Sequence, residues 1–151
     1  MTADEEYMTV CIELAKKAAE KGECPVGAVV VSKDGEILGR GYNMRETLQS
    51  PTAHAEILAI EQAAKALGSW RLTDCTLYVT LEPCPMCTGA IINSRMKRLV
   101  YGASDYKAGS CGSVVDLFSL PYNHKPEVVS GVMQEECAAL LTDFFKKLRK
   151  K

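Results

Sequence analysis

Two short motifs, each at the predicted start of a helix, constrain the fold of this chain more than any other feature. The first is His54-Ala55-Glu56, and the second is Pro83-Cys84-Pro85-Met86-Cys87. Cys84 and Cys87 lie about one helical turn apart, so both sulfur atoms face the same way and can hold one tetrahedral ion. Two thiolates with the imidazole of His54 suit zinc, whereas magnesium and calcium require oxygen ligands.

The number of candidate ligands favours a catalytic site over a structural one. Closed structural zinc sites have four protein ligands, whereas a catalytic site leaves one position for water, whose pKa falls to about 7. Glu56 lies about 200° round an ideal helix from His54, which makes it a poor ligand and a candidate proton carrier. Two alternatives stay open: a structural or redox Cys-x-x-Cys pair, and a fourth ligand from Cys75, Cys111 or His124.

Helical and strand patterns alternate along the chain, which predicts one α/β domain spanning residues 1–151. The predicted helices are 2–22, 54–67, 85–93 and 134–150, and the predicted strands are 26–31, 36–42, 76–81, 98–101 and 128–132. A loop at 102–112 and a weak helix or turn at 114–117 precede the last strand. Strands joined through helices should lie parallel by right-handed crossovers, and the first hairpin adds one antiparallel pair. The expected fold is a three-layer α/β/α arrangement with a mixed five-stranded sheet.

Composition excludes several classes of protein. A chain with 47% hydrophobic and 25% charged residues can bury a core, and its longest strand-like apolar run, 26–31, is far too short to span a membrane. Asp4, Glu5 and Glu6 stand where a signal peptide needs positive charge. The seven cysteines, an odd number, favour metal ligands and buried hydrophobes over a disulfide framework. We therefore expect a cytoplasmic protein with no membrane segment.

Positive charge is concentrated locally, although the net charge is −1 and the isoelectric point is about 6.1. The segment 146–151 contains five cations, and a second cluster comprises Arg95, Lys97 and Arg98. The tail can complement the dipole of a last helix, but five cations exceed what the dipole needs. Contact with nucleic acid is therefore the other explanation that stays open.

Longer stretches beyond the metal motif resemble one known family. These stretches are Pro51–Glu56, Gly68–Leu72, Leu77–Cys84, Tyr101–Asp105 and Asp143–Phe145. His-x-Glu followed by Pro-Cys-x-x-Cys is the signature of the zinc nucleobase deaminases. Over nearly its whole length the chain resembles the bacterial tRNA-specific adenosine deaminases. The resemblance implies a cytidine deaminase-like fold, one zinc ion per chain, a homodimer, and hydrolytic conversion of the wobble adenosine of an arginine tRNA anticodon loop to inosine.

The resemblance also implies roles in catalysis. The implied zinc ligands are His54, Cys84 and Cys87. Glu56 would move protons from the activated water to the base and then to the departing ammonia. Asn43 would hydrogen-bond the target base, although a turn residue after a strand is the alternative. Val26 would form a wall of the base pocket.

Other residues of the resemblance would contact RNA outside the reacting base. Asp105 would contact the nucleotide before the target, or else serve only as a turn former. Phe145 and Arg149 would touch the anticodon loop, with Lys107 as a weaker candidate. Because Phe144 and Phe145 are adjacent, one should pack inward and the other face outward.

Two rival functions stay open. A deaminase of free guanine, cytosine or a nucleoside would share the zinc site and Glu56 but would not need a cationic C-terminus. A non-catalytic, zinc-stabilised RNA-binding module would need the cations but not Glu56. We expect Trp70 to pack in the core or a loop rather than to stack on a base.

Overall fold

The computed structural model of the chain describes residues 1–149, which form five helices and five strands. The helices are α1 (Ala3–Glu20), α2 (Arg45–Leu48), α3 (Ala55–Leu67), α4 (Pro85–Asn93) and α5 (Gln134–Arg149). The strands are β1 (Gly27–Val31), β2 (Ile37–Tyr42), β3 (Thr76–Leu81), β4 (Arg98–Ala103) and β5 (Glu127–Val129).

The strands form one mixed sheet in the order β2-β1-β3-β4-β5. β1 pairs antiparallel with both β2 and β3, whereas the β3–β4 and β4–β5 pairs are parallel. The prediction of a single antiparallel pair was therefore wrong. The crossover through α3 does make β2 and β3 run in the same direction, but β1 lies between them and opposes both.

Helices cover both faces of the sheet, which confirms the predicted three-layer α/β/α fold. On one face α1 and α5 pack over a core that includes Met8, Ile12, Val29, Val100 and Cys137. On the other face α3 and α4 pack over a second core that includes Ala59, Leu77, Ile91, Ile92 and Leu99. Alternate residues of β1 and β3 point to opposite cores, as the two-residue period of a strand requires.

Two glycines of β2 determine how closely α3 approaches the sheet. A Cβ atom on Gly39 would overlap the carbonyl oxygen of Ala59, and one on Gly41 would overlap that of Ala55. The backbone of α3 therefore lies directly on β2 with no side chain between them at these positions. This contact fixes where the first turn of α3 stands relative to the sheet.

The N-terminus of α1 is anchored by a capping box and by an ion pair. Thr2 and Glu5 exchange two side-chain-to-backbone hydrogen bonds, at 2.9 and 3.1 Å. Asp4 accepts two hydrogen bonds of 2.8 Å from the guanidinium of Arg98 and one of 2.7 Å from the hydroxyl of Tyr78. These bonds fasten α1 to β3 and β4, and Arg98 lowers the pKa of the Asp4 carboxyl.

Most predicted boundaries hold to within a few residues, with three differences. The short helix α2 was not predicted, and β5 begins earlier and ends earlier than predicted. A single 3-10 turn at Leu117–Ser119 replaces the weak helix expected at 114–117. Trp70 lies in the loop after α3, one of the two places expected for it, and is 58% exposed. The predicted end of the last helix, Lys150, lies outside the described residues.

None of the helices within residues 1–149 combines the length and the apolar character needed to cross a membrane.

Candidate active site

The two metal motifs meet at the first turns of α3 and α4. His54 is the N-cap residue of α3, Cys84 is the N-cap residue of α4, and Cys87 lies in the first turn of α4. Both N-cap residues have extended backbones, with ψ of 152° and 174°, and neither side chain caps its own helix. The imidazole and the thiol are therefore free to turn towards a common centre. Pro85 suits the first position of α4, where a backbone N–H would have no helical acceptor.

The spacing of the three donor atoms matches that of ligands around one tetrahedral ion. Nδ1 of His54 lies 3.6 Å from Sγ of Cys84 and 3.7 Å from Sγ of Cys87, and the three atoms lie within 4.8 Å of one another. Around tetrahedral zinc, bond lengths of about 2.3 Å to sulfur and about 2.0 Å to nitrogen separate these atoms by about 3.6 Å. The donor set therefore fits a metal ion, and its soft sulfur atoms favour zinc over magnesium or calcium.

The residues considered as a fourth ligand are engaged elsewhere. Sγ of Cys111 lies 3.4 Å from the hydroxyl of Thr88, and the imidazole of His124 lies 2.6 Å from the carbonyl oxygen of Met96. Cys75 is buried in the core beneath α3 and α4. Within residues 1–149 the metal-binding group thus has three members. All seven cysteines are free, so the chain has no disulfide framework.

The electrostatics of the centre favour a thiolate beside a buried carboxyl group. The hydrogen bond from Cys87 lowers the pKa of Cys84 to about 4, and the neighbouring His54 lowers it further. Burial raises the pKa of Glu56 to about 7, and the negative charge of Cys84 adds to this effect. Glu56 occupies the second position of α3 and is only 4% exposed. It is thus a buried proton-exchanging group next to the three donors.

A cavity of about 200 Å³ opens onto this centre. It is lined by twelve residues: Cys24, Val26, Asn43, Arg45, His54, Ala55, Glu56, Leu81, Glu82, Cys84, Asp105 and Ala108. Three of the predicted substrate contacts, Val26, Asn43 and Asp105, therefore lie in the same cavity as His54 and Glu56. Cys87 is fully buried behind the wall of this cavity.

Asn43 is held at the cavity wall by two hydrogen bonds of its own and a third made by its neighbour Met44. Its backbone N–H donates to the carbonyl oxygen of Val26 at 3.1 Å, and its Oδ1 accepts from the N–H of Arg45 at 3.2 Å. The next residue, Met44, donates to the carbonyl oxygen of Ala53 at 3.0 Å, which joins this segment to the start of α3. The side-chain NH₂ of Asn43 has no hydrogen-bond acceptor among residues 1–149 and remains available to a ligand in the cavity.

The buried carboxylate of Glu82 organises the loop on the other side of the cavity. It accepts hydrogen bonds from the N–H groups of Asp105 at 3.1 Å, Cys111 at 3.0 Å and Ser113 at 3.0 Å, and from the hydroxyl of Ser113. Although burial opposes ionisation, these hydrogen bonds lower the pKa of Glu82. Gly109 leaves room for the carboxylate, because a Cβ atom there would overlap it.

Asp105 also stabilises its own turn. Its Oδ1 accepts hydrogen bonds from the N–H groups of Lys107 at 3.0 Å and Ala108 at 3.1 Å. The turn-forming role that the sequence offered as an alternative is therefore present in the structure. The same turn places Asp105 at the cavity and Lys107 outside it.

The other predicted RNA contacts lie together in a second, open groove of about 580 Å³ beside α5. The groove is lined by Lys107, Leu141, Thr142, Phe145, Leu148 and Arg149. The ring of Phe145 is 46% exposed, and Phe144 is half-buried and meets it edge to face at 5.5 Å. One of the two rings thus faces outward, as expected. Lys150 and Lys151, which belong to the predicted cationic tail, lie outside the described residues.

Sequence reasoning missed three residues that shape the cavity. Arg45 and Cys24 line it, and Glu82 holds its loop. A fourth residue, Glu23, is buried and accepts hydrogen bonds from the hydroxyl of Thr47 at 2.7 Å and from its N–H at 2.6 Å, which fixes α2 beside the cavity. The one sequence signal that could have indicated Glu82 was its position directly before the Pro-Cys motif.

A three-layer α/β/α fold whose two helix starts carry a His/Cys/Cys metal-binding group and a buried glutamate defines a nucleobase-type deaminase. Comparison with known proteins agrees: a model of the MafB19-like deaminase family matches residues 2–149. The chain belongs to this family and, within it, to the tRNA-specific adenosine deaminases.

The closer assignment depends on relatives that align over their whole length. The tRNA-specific adenosine deaminase of Bacillus subtilis (strain 168) is 56% identical over 152 residues, which cover 100% of this chain and 94% of that protein. That of Haemophilus influenzae is 52% identical over 147 residues, covering 97% and 85%. A solved structure from a study of A-to-I editing by tRNA:A34 deaminases at the wobble position of transfer RNA superposes with a TM-score of 0.87 at 45% identity, covering 90% of this chain and 99% of that one.

Proposed function

We propose that the chain is a single-domain deaminase, spanning residues 1–151, that converts the wobble adenosine of a tRNA anticodon loop to inosine. Arginine tRNA is the proposed substrate, in keeping with the family resemblance. The observation that carries the proposal is the shared cavity, in which the buried Glu56 and the three-donor group face Asn43, Val26 and Asp105. A non-catalytic binding module has no need for a buried carboxyl group beside a three-ligand metal site.

One zinc ion per chain is the proposed cofactor, held by His54, Cys84 and Cys87. When bound with three protein ligands, zinc lowers the pKa of water to about 7 and so supplies a nucleophile at neutral pH. The other roles in the reaction are carried by side chains and backbone groups of the protein. The N–H groups in the first turns of α3 and α4 favour negative charge at this centre, because both helix dipoles point their positive ends towards it.

Glu56 is the proposed proton carrier. Its carboxylate takes a proton from the attacking water, gives it to a ring nitrogen of the adenine, and then assists proton transfer to the departing amino group. The overall reaction consumes one water molecule and releases one ammonia molecule, so no oxidant or reductant is needed. The buried position of Glu56 keeps these transfers away from bulk water.

Recognition of the base is assigned to the cavity walls. The free NH₂ of Asn43 can donate to a ring nitrogen of the target adenine, while its Oδ1 accepts from the backbone N–H of Arg45. Val26 supplies an apolar wall. A base in an anticodon loop is already unpaired, so placing it in a cavity costs less than extruding it from a duplex.

The flanking nucleotides are assigned to Asp105 and to the groove beside α5. Asp105 keeps one carboxylate oxygen, Oδ2, outside its own turn, and this oxygen can accept from the nucleotide before the target. Phe145 offers an exposed ring for stacking, and Lys107 and Arg149 offer cations for phosphates. The cavity and the groove are joined by the Asp105–Ala108 turn, so one RNA loop can occupy both.

A homodimer located in the cytoplasm is the proposed assembly. On α4, Ile91 and Ile92 are buried against the sheet of the same chain, whereas Gly89 and Ala90 are half-exposed. A Cβ atom on Gly89 would meet no other atom within 4 Å, so a partner helix could approach closely there.

Sequencing of a tRNA pool incubated with the enzyme tests the function. We expect adenosine to be read as guanosine at the wobble position of arginine tRNA and to stay unchanged elsewhere. Parallel assays with free guanine, cytosine and nucleosides address the first rival function, because turnover of these with none on tRNA would contradict the proposed substrate. Binding of tRNA without release of ammonia would instead support the non-catalytic module.

A further inference from the structure

An exposed tryptophan on the α3–β3 connection is bracketed by two arginines. The guanidinium carbon of Arg71 lies 4.8 Å from the centre of the Trp70 ring, and that of Arg95 lies 5.8 Å from it. At these distances the indole attracts both cations and limits their freedom. The result is a small surface cluster, Trp70–Arg71–Arg95, with the indole 58% exposed.

The backbone beneath this cluster is firmly held. The N–H of Arg71 donates to the hydroxyl of Ser69 at 3.1 Å, and the N–H of Leu72 donates to the carbonyl oxygen of Ser94 at 2.8 Å. The side chain of Leu72 is fully buried. The loop that carries Trp70 and Arg71 is thus attached to the C-terminal end of α4, where Arg95 also lies.

Arg95 is anchored at its own end of the cluster. One of its guanidinium nitrogens donates to the carbonyl oxygens of Ile92 at 2.8 Å and Asn93 at 3.3 Å, which caps the last turn of α4. A guanidinium has five N–H donors in a planar fork, and those on the other two nitrogens of Arg95 make no hydrogen bond within residues 1–149. Arg71 has no side-chain hydrogen bond among residues 1–149, and its whole fork is free.

Neither arginine is neutralised by a carboxylate. The ion pairs formed within residues 1–149 involve other residues, and none reaches Arg71 or Arg95. Two forks held against one indole, each within about 6 Å of the ring centre and without a counter-charge, suit an anion with several acceptor oxygens. Phosphate groups match this geometry, because guanidinium forks bind them through paired hydrogen bonds.

The distance between the cluster and the catalytic cavity indicates which part of the RNA supplies that phosphate. The catalytic cavity lies at the N-terminal ends of α3 and α4, whereas the cluster lies at their C-terminal ends. The 13 residues of α3 separate the two by about 20 Å, at about 1.5 Å per residue. We propose that Trp70, Arg71 and Arg95 form a second RNA-binding site that contacts backbone phosphates of the tRNA outside the anticodon loop. This inference rests on the proposed tRNA substrate and extends the contact surface beyond the catalytic cavity.

Binding measurements with two RNAs of different length test the site. We expect the R71A/R95A double variant to bind full-length arginine tRNA about tenfold more weakly than the wild type, with the slope of log K against log salt reduced by about 2. Binding of the isolated anticodon-loop oligonucleotide should not change, because a loop seated in the catalytic cavity lies about 20 Å from the cluster. The R71K variant keeps the charge but loses the stacked fork, so we expect an intermediate loss of about threefold. Lys33→Ala, which removes an exposed cation from the β1–β2 turn, is the matched control.

Three results would overturn the second site. These are unchanged binding of full-length tRNA, an equal loss on both RNAs, and a change in oligomeric mass without a change in RNA binding, which would make the cluster a protein interface. Because Arg95 also caps α4, the R71A single variant repeats the test without removing a hydrogen bond. Binding does not depend on turnover, so a failure of the proposed reaction would be seen separately as absent deamination by the wild type.

Discussion

The carboxylate of Glu82 accepts a hydrogen bond of 3.1 Å from the backbone N–H of Asp105, so the residue that precedes the Pro-Cys motif holds the loop that borders the substrate cavity. We expect Glu82→Gln to lower kcat/KM for tRNA by about 10- to 100-fold, since an amide NH₂ would face N–H donors that now meet a charged acceptor. Most of the loss should appear in KM, because Glu82 positions RNA contacts rather than reacting atoms.

Steady-state kinetics and metal content measure this effect. Glu61→Gln, an exposed residue of α3, is the control and should behave as the wild type. An unchanged KM together with a large fall in kcat would contradict a positioning role for Glu82.

Removal of the buried carboxyl group at position 56 tests the proton carrier. We expect Glu56→Ala to reduce deamination by at least about 100-fold, because proton transfer by a positioned side chain contributes about that much or more. Metal content and the circular dichroism spectrum should stay unchanged, since Glu56 is not one of the three donors. Glu61→Ala on the same helix is the control, and activity of Glu56→Ala near the wild-type level would exclude this role.

Removal of the metal should abolish activity and lower the melting temperature together. A ligand present at 100 times its Kd stabilises a fold by about 3 kcal/mol, so chelation should cost a similar amount. One equivalent of zinc per chain should restore both properties in the wild type but not in His54→Ala. X-ray absorption should show two sulfur ligands and one imidazole, and a fourth protein ligand would contradict a site open to water.

The ion pair at the start of α1 predicts a specific pH dependence of stability. Arg98 lowers the pKa of Asp4 in the folded protein, so the ion pair stabilises the fold at pH above the unfolded pKa of an aspartate, about 3.9. The contribution is lost as the pH falls through the lower, folded pKa. We expect Asp4→Asn to cost about 1 kcal/mol at neutral pH and nothing in strong acid. Denaturant unfolding at several pH values measures this, and a cost that persists in strong acid would point to lost packing.

The groove beside α5 should contribute to RNA binding through two physically different contacts. Phe145→Ala should weaken tRNA binding by about 5- to 150-fold, largely independent of salt, because base stacking on an aromatic ring contributes about 1–3 kcal/mol. Arg149→Ala should give a smaller loss that disappears at high salt, with the salt slope reduced by about 1. Titrations at several salt concentrations separate the two, and identical salt slopes would contradict the assignment.

The three-donor group could be predicted from the sequence because it depends on local spacing. A Cys-x-x-Cys pair alone also fits a structural or redox role, but His54 at a second helix start supplies a third donor, and the structure brings all three together. The helices, the strands and the layers followed from periodicity for the same reason. Local spacing also placed Glu56, since a residue two positions beyond the N-cap cannot leave the first turn.

The supporting residues could not be predicted, because their partners are distant in the sequence. Glu82 bonds Asp105 across 23 positions and Ser113 across 31, and Glu23 bonds Thr47 across 24. A buried carboxylate that binds backbone N–H groups leaves no pattern in composition or periodicity. The strands that pair with β1 were predicted wrongly for a related reason. A helix crossover fixes the direction of a strand but not its place in the sheet.

The close contact of α3 with Gly39 and Gly41 of β2 also affects the position of His54. Since α3 rests on these two positions, a single methyl group at either one would lift the whole helix and carry its imidazole away from the paired sulfur atoms, which are anchored separately through α4. The activity of the enzyme thus requires that positions 39 and 41 carry no side chain. A screen for inactive but folded variants should find its hits in β2, beneath α3, as readily as around the substrate cavity.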